Sequence, residues 1–222
     1  MLIGSNSYQR DNLCSVVVDY IKEMILAGSY KTGEHVLESE VALRLGISRA
    51  PVREGLKELE KEGIVTVLPR KGTYITKFTL EDIKEVFDIR LLLEDNIIEI
   101  LINEDKMKEE DFTTLEGIVN DMVNIANSEE NELNKPILIN MKDMEFHKFI
   151  WQKSGSSRRV EILSGIFFQL RMAMLYDTNK TGNLFITATD HYEIIKYLRN
   201  KDLENCKRAL REHIIFYKEG MY

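Results

Sequence analysis

The stretch Leu45-Gly46-Ile47-Ser48-Arg49-Ala50-Pro51-Val52-Arg53-Glu54 decides how this 222-residue chain is read. Gly46 follows a short apolar-periodic run from Glu38 to Leu45 and supplies the left-handed residue that stops a helix. Ser48 stands where an N-cap belongs. Pro51 falls in the first turn of the next helix, where its missing N–H has no intrahelical partner to lose. Val52, Leu56 and Leu59 then recur at helical spacing until Gly63. Two short helices joined by a tight glycine turn, the second opening on arginines, spell a helix-turn-helix.

Upstream, Val16, Val17, Tyr20, Ile21, Met24 and Ile25 form an amphipathic stripe that Gly28 ends, and Lys31-Thr32-Gly33-Glu34 is a turn. Downstream, the texture becomes β-branched. Ile64 to Leu68 and Thr73 to Thr76 flank the turn Pro69-Arg70-Lys71-Gly72 and predict a two-stranded hairpin, the only clear β signal in the chain. Three helices and a hairpin predict a winged helix-turn-helix over residues 1–77.

After Lys77 the pattern is helical. Thr79 reads as the N-cap of a long helix through about Asn103, and further helices are expected at about 108–127, 136–153, 157–176, 184–200 and 202–219. The fold class is therefore mainly α. An N-terminal winged helix-turn-helix precedes an antiparallel all-helical bundle of about six helices over residues 78–222.

Formal net charge is -7, which argues against nucleic acid only if the charge is evenly spread. It is not. Residues 1–77 carry 11 Lys and Arg against 10 Asp and Glu, so the acid excess belongs to the helical remainder. Apolar runs such as Ile97 to Ile102 are far shorter than the roughly 20 residues of a membrane span. Met1 to Arg10 carries no apolar leader segment. Cys14 and Cys206 are isolated and make no disulfide framework, as expected for reduced thiols in a cytoplasmic protein.

Arg49 and Arg53 lie four residues apart and project from one edge of the third helix. An arginine there can fork onto guanine or clamp a phosphate, and Ser48 adds a hydroxyl beside the N-terminal backbone donors. Arg70 and Lys71 place two cations at the hairpin tip. Periodicity alone serves equally well for a solvated charged face.

The run Gly46 to Glu54, followed by Leu59 and Glu62-Gly63, closely resembles the GntR family of bacterial transcription regulators. Gly28, Gly33-Glu34 and Pro69-Arg70-Lys71-Gly72 also fall where that family has them, so the resemblance covers about residues 9–77. It implies a dimer that reads a palindromic double-stranded operator with Ser39, Ser48, Arg49, Ala50, Arg53, Arg70, Lys71 and Gly72. Ala50 replaces the usual Thr, and Ser39 stands where some members place a DNA-contacting Arg.

In the helical half, Asp143 and His147 share a helix face at i and i+4, and His191 and His213 follow. Imidazoles with a carboxylate suit a divalent transition metal, although an isolated helical His is more often a satisfied polar group. Residues 80–219 resemble the FCD ligand-binding domain of FadR-type GntR regulators, with Arg90 to Glu94, Phe146-His147, Ser154-Gly155 and Ala209 to Ile214 as further marks. Ser156 stands where Asn is common. The resemblance implies that Asp143, His147, His191 and His213 hold a metal (zinc foremost, then nickel, manganese or iron). A small organic acid would bind beside it. Arg90 and Arg171 are candidates for the effector carboxylate, with an Arg90–Glu94 salt bridge as the alternative. Asp190 and Glu212 flank the histidines and could orient the imidazoles from behind, with surface solvation as the plainer expectation for both. Phe167, Phe168, Met172, Met174 and Tyr176 are expected to pack the core or line the pocket, and Trp151 to pack under the bundle. Two competing readings remain at this point: a sensor of the metal itself, and a metal-dependent enzyme, which would lack an obvious general base.

Overall fold

A computed structural model describes residues 5–77, 79–131, 134–172 and 183–219. The chain divides into two compact units, Met1–Thr79 and Leu80–Tyr222.

In the first unit, α1 (Ser5–Leu26) packs on α3 (Arg49–Lys61), and α2 (Glu38–Leu45) packs beside it. Val17, Ile21, Val41, Val52, Leu56 and Leu59 are buried between them. The turn after α2 closes as its glycine predicts. Gly46 adopts φ 65°, and the Ile47 N–H reaches back to the Ala42 carbonyl at 3.0 Å. Ser48 occupies the N-cap position in extended conformation, yet its side chain makes no capping hydrogen bond, so the hydroxyl is not spent on its own helix. Close packing of α1 on α3 depends on Gly55. A Cβ there would stand 2.7 Å from Val17 Cγ1 and 3.2 Å from the Cys14 carbonyl.

The hairpin forms from β2 (Val65–Leu68) and β3 (Gly72–Ile75) with Leu68 opposite Gly72. A third strand that the sequence pattern did not reveal, β1 (His35–Val36), pairs antiparallel with β3, and the order is β1-β3-β2. Two residues are too short for any alternation to show, and the pairing arises from tertiary position alone. His35 stacks on Tyr74 with ring centroids 4.8 Å apart and covers Gly72, whose φ of 107° and lack of a side chain make room for it.

The second unit contains α4 (Leu80–Asn103), α5 (Glu109–Asn127), α6 (Lys135–Lys153), α7 (Ser157–Gly165), α8 over residues 167–172, α9 (Leu184–Thr189), α10 (His191–Arg199) and α11 (Leu203–Glu219). Two expected single helices are each divided. One breaks at Ile166, after Gly165, a residue that weakens a helix by about 1 kcal/mol relative to Ala. Its continuation to 176, with Met174 and Tyr176, lies outside the described residues. The other breaks at Asp190. The bundle therefore has more helical segments than the six expected. Helix α5 packs on α6, α10 on α11, and α11 on α4. The core includes Phe87, Ile97, Leu101, Leu115, Phe146, Trp151, Ile194 and Leu210. Phe168 is buried and Phe167 half-buried against that core.

We expect Gly55→Ala to destabilise the first unit by about 1–3 kcal/mol, the usual range for overpacking. Chemical denaturation followed by circular dichroism measures it. An unchanged transition would show that α1 and α3 can separate at no cost.

Candidate metal centre and nucleic-acid surface

Asp143 and His147 come from adjacent turns of α6, His191 from the first residue of α10, and His213 from α11. All four side chains are buried, and one ligand-type atom from each lies within 4.8 Å of all the others. His191 Nε2 is 3.1 Å from Asp143 Oδ1, and His213 Nε2 is 3.4 Å from the same oxygen. His147 Nε2 is 4.0 Å from Asp143 Oδ2 and 3.1 Å from His213 Nε2.

The far nitrogens settle what these near ones present. His191 Nδ1 faces the Thr187 carbonyl at 3.0 Å, which only accepts, so this nitrogen donates. His147 Nδ1 faces Glu94 Oε2 at 2.7 Å, and His213 Nδ1 faces Asp190 Oδ2 at 3.1 Å. In the neutral rings all three Nε2 atoms then carry lone pairs directed inward. Two lone pairs 3.1 Å apart, as on His147 and His213, repel unless a proton or a cation lies between them. Three convergent imidazoles with one carboxylate form a donor set that fits a divalent transition metal.

Electrostatics around the cluster follow from burial and charge. Burial would raise the Glu94 carboxyl, but His147 and Arg90 outweigh it and bring it down to about 2. His147 is pushed down to about 4 by burial and then by the Arg90 guanidinium. For His191, burial works downward, but Asp143 and Asp190 win and raise the imidazole to about 10. Burial also works upward on Asp143, and His191 and His213 hold it well below the carboxylate range. In the absence of a metal the cluster thus keeps its acids ionised and holds protons on imidazole.

Arg90, fully buried on α4, donates from Nε to Glu94 Oε1 at 2.7 Å and stands 3.9 Å from Asp143 Oδ2. The intramolecular salt bridge anticipated as the alternative does form, and it lies immediately behind the metal-type ligands. Arg171 donates from Nε to Asn140 Oδ1 at 3.1 Å, and Asn140 lies one turn before Asp143 on α6. Asp190 takes the less expected of its two readings and turns its carboxylate to the imidazoles, with Oδ1 also 3.2 Å from His191 Nδ1. Glu212 is exposed, 3.9 Å from Arg208. The sequence reading missed Glu94 as a partner of His147. Its one signal was an ionisable pair, Arg90 and Glu94, set into the apolar face of α4.

In the first unit, Ser39, Ser48, Arg49, Ala50, Arg53, Arg70 and Lys71 are exposed, and Gly72 is half-buried under His35. Arg53 Nε donates to Glu38 Oε2 at 2.7 Å in an exposed pair, a contact weak enough to exchange for a phosphate or base. Arg70 holds φ 63° at the hairpin tip, a left-handed conformation that costs a non-glycine residue roughly 1–2 kcal/mol.

A winged helix with an open, arginine-bearing third helix, carried on a chain whose other unit encloses a buried polar cluster, is the architecture of a DNA-binding protein with a second, all-helical domain. Comparison with known proteins makes the class specific. "Bacterial regulatory proteins, gntR family" matches residues 13–75, and the FCD domain matches residues 85–216. The chain belongs to the GntR family of bacterial transcription regulators, in the branch with an FCD C-terminal domain. It is 27% identical over 195 residues to the HTH-type transcriptional regulator YdhC of Bacillus subtilis, covering 87% of this chain and 84% of that protein. It is also 27% identical over 204 residues to the gluconate operon transcriptional repressor of Bacillus licheniformis, covering 87% of this chain and 78% of the repressor. Among solved structures, E. coli McbR/YncC superposes with a TM-score of 0.75 at 20% identity, covering 93% of this chain and 98% of that one. Among the described residues, no helix is long and apolar enough to cross a membrane.

Glu94→Ala removes the carboxylate that Arg90 and His147 share. We expect it to cost about 3–5 kcal/mol, the range for breaking a buried ion pair. Thermal unfolding checks this, and an unshifted transition would mean that the pair is not formed in solution.

Proposed function

We propose that this regulator is a repressor that binds a palindromic operator as a homodimer, and that a metal held by Asp143, His147, His191 and His213 forms the floor of its effector site. The observation that carries the proposal is the buried convergence of these four side chains within one helical unit. Zinc suits three imidazoles and a carboxylate, and nickel, manganese and iron accept the same donors. When bound, the metal supplies a Lewis-acidic centre that a small carboxylate or hydroxy acid can reach at any position the four side chains leave open. Arg171, beside Asn140, is the residue we assign to the effector carboxylate. Arg90 is engaged with Glu94, so its task is to hold that carboxylate in place.

Repression is supported by the similarity to gluconate operon repressors. On the DNA side, Arg49 and Arg53 read base edges or phosphates from α3, while Ser48 offers a hydroxyl not used for capping. Ser39 and Ala50 flank that surface, and Arg70, Lys71 and Gly72 bring the wing to a neighbouring phosphate. The cost of keeping Arg70 left-handed agrees with a side chain retained for contact. A chain with little net positive charge in its head depends on a few placed arginines and on two heads bound at once.

Because the four side chains come from three helices, metal occupancy by itself would tie α6, α10 and α11 together, and this favours the metal as effector as a second reading. Fluorescence anisotropy on operator DNA tests both. We expect salt-sensitive, sequence-selective binding that Arg49→Ala and Arg53→Ala each weaken by about 5–150-fold, the equivalent of roughly 1–3 kcal/mol. Organic acids should change the affinity of the metal-loaded protein only. If metal alone produces the full change, the second reading holds. If both arginine variants bind like wild type, the DNA surface is misassigned.

A further inference from the structure

Asp190 stands at the N-cap position of α10 with backbone angles of φ -64° and ψ -23°, yet its side chain makes no capping hydrogen bond. An aspartate at that position ordinarily spends its carboxylate on the backbone N–H groups of the first turn. Here the carboxylate is turned to the histidines, with Oδ2 3.1 Å from His213 Nδ1 and Oδ1 3.2 Å from His191 Nδ1. His191 Nδ1 also has the Thr187 carbonyl at 3.0 Å, so Asp190 is the acceptor for His213 and an added negative charge beside His191. At His147, Glu94 Oε2 accepts from Nδ1 at 2.7 Å while its other oxygen accepts from Arg90 Nε.

We infer that Asp190 and Glu94 are positioning residues of the metal site, outside the ligand set. They fix the imidazoles with Nδ1 protonated and Nε2 presented to the metal. An acceptor at Nδ1 sets the ring rotation and the tautomer, and it makes Nε2 a better donor. The division of labour is geometric. Glu94 serves the ligand from α6, Asp190 serves the one from α11, and the Thr187 carbonyl with Asp190 serves the one from α10. This inference rests on the metal reading, so the test includes the wild-type protein as its own control.

Asp190 is the better residue to test. Its side chain is 30% exposed, and its helical backbone angles suit alanine. Full-length wild type, Asp190→Ala, Asp190→Asn and, as a ligand-loss control, His191→Ala are compared by zinc competition against a chromophoric chelator. We expect Asp190→Ala to bind zinc about 10–100-fold more weakly than wild type, the usual loss on removing an imidazole's outer partner. Asp190→Asn, with one acceptor oxygen in place of two, should fall between them. Histidine NMR on zinc-loaded wild type should show Nδ1–H on all three cluster imidazoles, with the His213 signal altered in Asp190→Ala. A role confined to folding would lower thermal stability equally with and without zinc and leave zinc affinity unchanged. Asp190→Ala and Asp190→Asn affinities within about two-fold of wild type would overturn the inference. Should Asp190→Ala fail to fold, the near-isosteric Asp190→Asn decides alone. Wild type that takes up no zinc, nickel or manganese would instead overturn the metal reading beneath it.

Discussion

His147 Nε2 and His213 Nε2 face one another at 3.1 Å inside the helical unit, each with its other ring nitrogen committed outward to a carboxylate. Two neutral imidazoles so arranged repel unless a proton or a cation lies between them. Asp143 and His191 close the same space. A cluster of this kind costs folding energy through desolvation, and its buried acids and rings recover that cost only by pairing among themselves. The surrounding elements serve this pairing. Helix α4 brings Glu94 and Arg90, α6 brings Asp143 and His147, and the junction of α9 with α10 brings Thr187, Asp190 and His191.

Such a site suits a sensor. A metal held from three helices would make occupancy depend on how those helices are arranged, and an effector of such a site could act only by binding one arrangement better than another. In the first unit the α2–α3 turn, the unspent Ser48 hydroxyl and the left-handed Arg70 leave polar groups facing solvent, as a DNA reader requires. The charge distribution agrees, because the acid excess of the chain lies outside residues 1–77.

Much of this was legible in the sequence because the relevant signals are local. Gly46, Ser48 and Pro51 punctuate the helix-turn-helix, and the β-branched runs on either side of Pro69 to Gly72 mark the hairpin. Asp143 and His147 declare a shared face by their spacing. What was hidden depends on distance or on very short elements. Strand β1 has only two residues, and their partners lie 39 and 37 positions away. Glu94 meets His147 across 53 residues, so the local pattern showed only its pairing with Arg90. The helix break at Asp190 carries no Gly or Pro to announce it. It coincides with the imidazole of His191 taking the Thr187 carbonyl one turn back, a competition visible only once the histidines are assembled.

The proposed function requires that the buried side chains of Asp143, His147, His191 and His213 form one metal-binding centre per chain. Titration of the metal-stripped protein with cobalt(II), followed by visible absorption, tests it most directly. Ligand-field bands should rise linearly, saturate at one equivalent per chain, and be absent from His191→Ala. A spectrum no different from free cobalt(II), or one equally strong in His191→Ala, would contradict it.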